Sequence, residues 1–227
     1  MLLLGNYDYF GTTDAGMDVS EGWYVIFGCG VVGGLLGGGF AQGLLMGTSL
    51  IAPLYAARPV HVAMVCGFLV ALIGVVSGAG VYGTGYREAQ SILHGQGHTD
   101  LLYPLWKLLA TMISYLSGIP GGIFAPSLST GAGLGAVLAE WFTSQPFTTV
   151  VLLGMVAYFS GMVQTPITAF VIVMEMTNNQ DMIIPLMATS LIATGVSRFV
   201  CPRPIYSAMV DGFVRTSPVK VGYPIKK

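Results

Sequence analysis

The chain has 227 residues, of which nine are basic and ten are acidic. A charged share of 8% lies far below the roughly 25% of a soluble domain, so these side chains cannot coat a soluble fold of this size. Hydrophobic residues make up 54% and the net charge is −1, which excludes a disordered chain and provides no electrostatic field for nucleic acid. The composition therefore predicts an integral membrane protein.

Long stretches without Asp, Glu, Lys or Arg indicate the membrane segments. A spanning helix needs about 20 apolar residues, and the apolar runs predict helices at 23–46, 60–80, 101–117, 123–141, 147–162, 166–176 and 181–200. The sixth is too short to cross alone, and prolines or glycine runs interrupt several others. Such interruptions are typical of transporters and channels. The apolar runs do not alternate with period two, as the strands of a membrane barrel would. The predicted fold is therefore an all-α polytopic membrane helix bundle with short, broken and tilted helices.

Few polar residues fall inside this predicted bundle. Residues 84–100 form a polar interior segment that predicts a short amphipathic helix followed by a loop. His94 and His98 are four residues apart, but glycines between them argue against a helix that presents both to a metal, so no metal site is predicted. Lys107 lies in an apolar run and is expected to extend its ammonium group to a membrane surface. Glu175 ends an apolar run and is interpreted as marking a helix end at the interface.

The strongest functional signal is the segment SGIPGGIFAP at residues 117–126, which opens a neutral stretch. The paired glycines Gly121 and Gly122 allow the backbone to turn sharply and to approach a ligand closely. Pro126 fits the first turn of a helix, where its missing N–H costs nothing. These three residues are therefore predicted to support a loop that leads into a helix N-terminus.

The backbone amides at the start of this predicted helix are candidate anion donors. The N–H groups of Ile123, Phe124 and Ala125 would have no acceptor within the helix, and the helix dipole behind them favours an anion. A site without a full positive charge suits conduction, because it releases the anion readily. A Gly/Pro kink that serves only packing is the alternative interpretation.

A second signal follows the last long apolar run, where RPIYSA occupies residues 203–208. Pro204 is predicted to start a short helix with Tyr206 near its N-terminus. The phenol is a neutral donor that can hydrogen-bond an anion without trapping it. The alternative is a tyrosine of the interfacial aromatic belt.

Three motifs together resemble the second half of ClC chloride channels and chloride/proton antiporters. They are GGIFAP at 121–126, IVMEMTNN at 172–179 and PIYSA at 204–208, and the resemblance covers residues 20–216. It implies that the amides of Ile123 and Phe124 and the Tyr206 hydroxyl coordinate a central anion. It further implies that the Phe124 and Ala125 amides face an external site. Chloride would be the transported ligand, with no cofactor and no enzymatic chemistry.

The resemblance also implies that part of the pore lies elsewhere. The chain resembles the last helix of the first inverted repeat followed by the second repeat, and no Gly-Arg/Lys-Glu-Gly-Pro segment with its gating glutamate occurs. Ser117 is not assigned as the anion-binding serine of the first repeat, because Leu116 replaces the leading glycine of that motif. The missing N-terminal half of the pore domain would then belong to a separate polypeptide, unless the chain is a truncated product.

The expected organisation is a polar N-terminal segment at 1–20, the C-terminal half of a ClC-type transmembrane domain at 21–216 and a short basic tail at 217–227, without a regulatory domain. Six of the nine basic residues lie in the last thirty positions, so the positive-inside rule places the C-terminus of this multi-pass cell-membrane protein in the cytoplasm. The resemblance implies a homodimer with one pore per subunit. Its contacts would come from helices near 23–46, 166–176 and 183–199.

Two other function classes are open to this sequence. A different broken-helix transporter, such as a sodium-coupled carrier, would need oxygens that converge on a cation, and Ser127, Ser129 and Thr130 offer them. An intramembrane enzyme is disfavoured, because residues 47–50 contain no nucleophile motif and HExxH is absent.

Overall fold

The computed structural model describes residues 10–13, 15–78, 80–95, 100–119 and 121–209, and within these ranges every regular element is a helix. The elements are α1 Val19–Ala57, α2 Pro59–Val76, α3 Tyr86–Leu93, α4 Tyr103–Leu116, α5 Phe124–Ala139, α6 Phe147–Val163, α7 Pro166–Thr177 and α8 Ile183–Val200. The prediction of an all-α bundle is confirmed. The basic tail at 217–227 and residues 1–9 of the N-terminal segment lie outside the described residues.

The helices differ widely in length. Three in the described part of the chain are long and apolar enough to cross a membrane, namely Gly22–Ala57 within α1, α2 and α8. The others that are strongly apolar, α5, α6 and α7, are shorter. At about 1.5 Å per residue α1 is about 58 Å long, nearly twice the ~30 Å hydrocarbon core. α1 must therefore tilt or protrude, whereas α7 cannot cross alone.

The predicted boundaries agree with the structure to within two residues except in α1 and at the end of α2, which was predicted at residue 80 but lies at Val76. The prediction ended α1 at residue 46, but it continues through Pro53 to Ala57. Proline removes only one hydrogen bond from the ladder, and membrane helices tolerate it where nearby groups satisfy the freed backbone. The carbonyl that Pro53 leaves without its ladder donor is that of Ser49, four residues earlier, and the helix continues past it to Ala57.

The centre of the bundle is α6, whose residues from Thr149 to Val163 are all buried. Glycines let its neighbours approach at backbone distance. A methyl group built on Gly135 of α5 would lie 2.6 Å from the Val151 Cα atom, and one built on Gly154 would lie 2.4 Å from Gly135. α5 and α6 therefore pack almost backbone to backbone.

The helix α1 fits between α6 and α8 by means of two glycine pairs. A methyl group on Gly33 or Gly37 would meet backbone atoms of α6 at 2.4–2.9 Å. One on Gly34 would lie 2.5 Å from the Ala193 carbonyl oxygen of α8, and one on Gly38 would meet Ser197. The glycine run of the sequence thus serves two different helix contacts.

The described part of the N-terminal segment, which was predicted to be polar, packs against the helices. Phe10 is buried, and its amide donates to the Met176 carbonyl oxygen at 2.9 Å. The Asn179 side chain donates to the Thr13 and Ala15 carbonyls at 2.9 and 2.8 Å. Its amide satisfies backbone that would otherwise be buried without partners.

Two polar residues of the sequence have clear places. The Nε2 atom of His94 lies 3.1 Å from the Phe10 carbonyl oxygen. The described residues contain no group of His, Cys, Asp or Glu that could hold a metal ion. His98 lies outside the described residues. The expectation for Lys107 was wrong: its side chain is 1% exposed and does not reach a membrane surface.

Candidate functional site

The loop between α4 and α5, residues 117–123, is called the glycine loop below; its Pro120 lies outside the described residues. It begins where α4 ends at Ser117, whose hydroxyl donates to the Ser114 carbonyl at 2.6 Å. Gly118 then adopts φ +75°, and a methyl group there would lie 2.4 Å from the Tyr55 ring. Only glycine combines this backbone conformation with so close a neighbour. Gly118 therefore turns the chain away from α4.

The helix α5 begins at Phe124 with Ile123 as its N-cap, as the sequence predicted. The first hydrogen bond of its ladder is donated by the Ser127 amide to the Ile123 carbonyl oxygen at 3.1 Å. The amides of Ile123, Phe124 and Ala125 have no acceptor among the described residues, and no side chain caps the helix. Three unpaired N–H groups at a helix N-terminus are a site for an anion.

Tyr206 lies beside this helix end. Residues 205–209 form a helical turn in which the Ala208 amide donates to the Pro204 carbonyl at 3.1 Å, so Pro204 precedes a helix as predicted. The ring of Tyr206 stacks on the ring of Phe124, with centroids 5.8 Å apart and an interplanar angle of 18°. The Tyr206 hydroxyl is buried and has no hydrogen-bond partner among the described residues. A buried donor without a partner is costly, and a bound ligand would remove that cost.

A cavity of about 450 Å³ opens next to the glycine loop. Gly121, Gly122, Ile123 and Pro126 form one wall of this cavity, while α2, α4 and the segment before α3 form the others. Within the described part of the chain its lining contains hydroxyl groups but no Lys, Arg, Asp or Glu. The glycine loop is therefore accessible from a neutral space, and Ile123 is the candidate donor residue that lines it.

Tyr115 is a candidate that the sequence analysis did not identify. It lines the same cavity from α4, and its hydroxyl donates to the Sδ atom of Met209 at 3.2 Å, three residues after Tyr206. A thioether is a weak acceptor, so this hydroxyl is held loosely. The only signal in the sequence was its position two residues before Ser117, which indicates nothing by itself.

The hydroxyls considered for a sodium site do not converge. Ser127 donates to the Ile123 carbonyl at 2.6 Å, Ser129 donates to the Gly85 carbonyl at 2.9 Å and Thr130 donates to the Pro126 carbonyl at 2.9 Å. Each hydroxyl thus satisfies a different backbone group. A cation would need these oxygens to face one point, so the sodium-coupled alternative is not favoured.

The order of these elements agrees with a known family. Residues 1–198 match the family described as voltage gated chloride channel. The chain belongs to this family. It is a family of channels and transporters, not of enzymes, and the chain is accordingly an integral membrane protein.

Curated relatives and solved structures agree with this assignment. H(+)/Cl(-) exchange transporters named ClcA from Yersinia pestis and Cronobacter sakazakii are 37% identical over 110 residues, which are 46% of this chain and 23% or 24% of the relatives. A slow cyanobacterial Cl-/H+ antiporter is 26% identical with a TM-score of 0.74, over 92% of this chain and 50% of that one. A CLC-type fluoride/proton antiporter shares the fold at 21% identity, with a TM-score of 0.79 over 90% of this chain and 51% of that one.

Proposed function

We propose that this chain forms the C-terminal half of a chloride-transporting pore domain. The observation that carries the proposal is found at the start of α5, where three amides lie beside the ring of Tyr206. Neither these amides nor the buried hydroxyl of Tyr206 has a partner in the described part of the chain. The amides of Ile123, Phe124 and Ala125 bind the anion, and Tyr206 donates a further hydrogen bond. Gly121, Gly122 and Pro126 shape the loop that leaves these donors free.

The chemistry of these donors suits transport. Amides and a phenol stabilise an anion through dipoles, while the helix dipole of α5 adds a partial positive charge. No full charge lines the adjacent cavity, so the anion is not held by an ion pair and leaves again. Chloride is bound as cargo, and the proposal requires no cofactor and no covalent step.

The remaining half of the pore is proposed to come from chain that lies outside these 227 residues. The chain spans about half the length of the solved structures that it matches. The segment that matches the curated relatives covers less than a quarter of their length. In this proposal residues 21–216 form the transmembrane half, 1–20 precede it and 217–227 form a basic tail. The positive-inside rule places that tail in the cytoplasm of a cell membrane.

A second copy of the chain is the proposed partner within the membrane. Ile167 on α7 is 70% exposed, and Phe199 on α8 is 89% exposed. Exposed apolar side chains on these two helices suit contact with another subunit or with lipid. The predicted contact of α1 remains part of this proposal, because Trp23 and Phe27 on this helix are 65% and 57% exposed.

Replacement of Tyr206 tests the anion site. We expect Tyr206→Phe to weaken bromide binding by about 10-fold to 100-fold, because a hydrogen bond to a charged group contributes about 1.5–3 kcal/mol. The free energy of unfolding is expected to stay the same or rise, since the deleted hydroxyl has no partner among the residues that the structure describes and the ring still stacks on Phe124. Anomalous diffraction of bromide in crystals of the assembled pore measures the occupancy.

The control for this experiment is Tyr24→Phe. Tyr24 lies near the start of α1, and the substitution deletes a hydroxyl that is hydrogen-bonded to Ser144. Bromide occupancy is expected to be unchanged in that variant. Equal bromide density in Tyr206→Phe and the wild type would disprove the role of Tyr206. An absence of bromide from the α5 N-terminus of the wild type would disprove the site itself.

A further inference from the structure

The buried side chain of Lys107 has a role that the anion site does not explain. Its ammonium group donates to three carbonyl oxygens, those of Val81 at 2.9 Å, Tyr82 at 3.4 Å and Gly83 at 2.9 Å. An ammonium group has three N–H donors, so these carbonyls use all of them. Burial of a charge is expensive unless such groups surround it. Lys107 therefore holds one short piece of backbone in a defined position.

Glycines give that backbone its shape. Gly78, Gly83 and Gly85 have φ values of +70°, +64° and +73°. These left-handed conformations turn the chain between α2 and α3 so that successive carbonyls face the same side chain. At Gly85 the space is also filled, because a methyl group there would lie 2.3 Å from the Ser129 Oγ atom and 2.8 Å from the Lys107 Cε atom.

The same segment is tied to α5 by a second set of bonds. The Tyr103 hydroxyl lies 2.6 Å from the Ser129 Oγ atom, and Ser129 donates to the Gly85 carbonyl oxygen at 2.9 Å. Ser129 follows Pro126 by three residues, within the first two turns of α5. The segment at 81–85 is thus fixed between α4, which carries Lys107 and Tyr103, and the helix whose N-terminus holds the anion donors.

This segment also forms part of the cavity wall. Val81, Gly83 and Thr84 line the cavity of about 450 Å³ on which the glycine loop opens. The Lys107 side chain itself is not part of the lining. Any change in the Lys107 bonds would therefore be transmitted to the cavity through the backbone of residues 81–83.

We propose that Lys107 is a positioning residue that fixes the segment at 81–83 as one wall of the cavity that the glycine loop and Ile123 also line. The part of this proposal that concerns chloride rests on the function proposed above. The part that concerns the wall does not, because it depends only on the bonds between Lys107 and the three carbonyls. The two parts are measured separately below.

Cys66 offers a native reporter of the cavity wall. It lines the same cavity from α2 and is 7% exposed, whereas Cys29 and Cys201 are fully buried. We expect Lys107→Met to change the rate at which Cys66 reacts with methyl methanethiosulfonate by about tenfold, because loss of charged hydrogen bonds frees the wall. The reagent is uncharged, so removal of the lysine charge does not alter its approach. Mass spectrometry of the intact chain follows the reaction.

Two further variants separate positioning from charge and from misfolding. Lys107→Arg keeps a cation with several donors, and we expect it to restore most of the wild-type rate. Gly85→Ala leaves Lys107 in place but pushes a methyl group into Ser129 and Lys107, so we expect it to reproduce the effect of Lys107→Met. Gly78→Ala is the matched control, because Gly78 has a similar φ but no atom within 4 Å of the added methyl group.

The outcomes are distinct. If Cys66 reacts at the wild-type rate in both Lys107→Met and Gly85→Ala, the proposal is overturned. It is also overturned if Lys107→Met changes chloride flux through the assembled pore while Cys66 reactivity is unchanged, since Lys107 then acts through its charge alone. If Lys107→Met does not fold, the comparison of Gly85→Ala with Gly78→Ala decides. Altered Cys66 rates together with a wild type that carries no chloride would disprove the proposed function and leave the role of Lys107 standing.

Discussion

Vesicles that contain this chain alone are expected to retain their chloride, whereas vesicles that contain it together with the remaining half of the pore domain are expected to release it. The glycine loop before α5 borders an open cavity in the chain, and only 17% of the residues of α2 are buried. A permeation path needs protein or water around any polar backbone at membrane depth. A chloride-selective electrode that records efflux from preloaded vesicles measures the difference directly.

The control for this experiment is the remaining half expressed without this chain, which is expected to give no efflux either. Sodium is varied in the external solution, and the flux through the assembled pore is expected to be independent of it. Robust efflux from vesicles with this chain alone would contradict the half-pore proposal. Flux that follows sodium would contradict the anion mechanism.

The second large effect is expected at the contact between α1 and α6. A methyl group on Gly37 would lie 2.4 Å from the Tyr158 carbonyl oxygen and 2.7 Å from the Met162 amide nitrogen. Both are backbone atoms, so the helices must separate. Overpacking in a core costs about 1–3 kcal/mol and occasionally more, and α6 is the most buried helix of the bundle. We expect Gly37→Ala to lower the thermal stability strongly or to prevent folding, as size-exclusion chromatography after heating in detergent would show.

Gly39 provides a control in the same helix. A methyl group at Gly39 has no neighbour within 4 Å, so Gly39→Ala is expected to leave the melting temperature unchanged or raise it, since alanine favours helix. The difference between the two variants therefore reports the helix contact and not the chemistry of the substitution. Equal stability of the two variants would show that α1 and α6 do not pack as described.

The start of α5 could be predicted because its signals are local. Gly121 and Gly122 allow a sharp turn, and Pro126 favours the first turn of a helix, so these neighbouring residues together indicate where a helix begins. The helix starts at Phe124, as that pattern predicts. The turn that carries Tyr206 was predictable for the same reason, since Pro204 restricts the residues around it. The roles of these residues in anion binding stay predictions.

The errors concern residues whose surroundings come from distant parts of the chain. Lys107 in an apolar helix was expected to extend to a membrane surface, because its sequence neighbours offer no partner. The carbonyls that accept hydrogen bonds from its ammonium group belong to a segment more than twenty residues earlier in the chain. The packing of the N-terminal segment has the same origin, since Asn179 lies more than 160 residues from Thr13. Patterns within a helix do not report such contacts.

The two glycine pairs of α1 restrict how the pore half can deform. Gly33 and Gly37 bring α1 to the backbone of α6, and Gly34 and Gly38 bring it to α8. Rotation or sliding of α1 would drive side chains of adjacent positions into those backbones, and tightly packed contacts resist gradual deformation. α1, α6 and α8 consequently behave as one rigid unit. Any conformational step of the proposed transport would then have to involve segments outside this unit, such as the glycine loop.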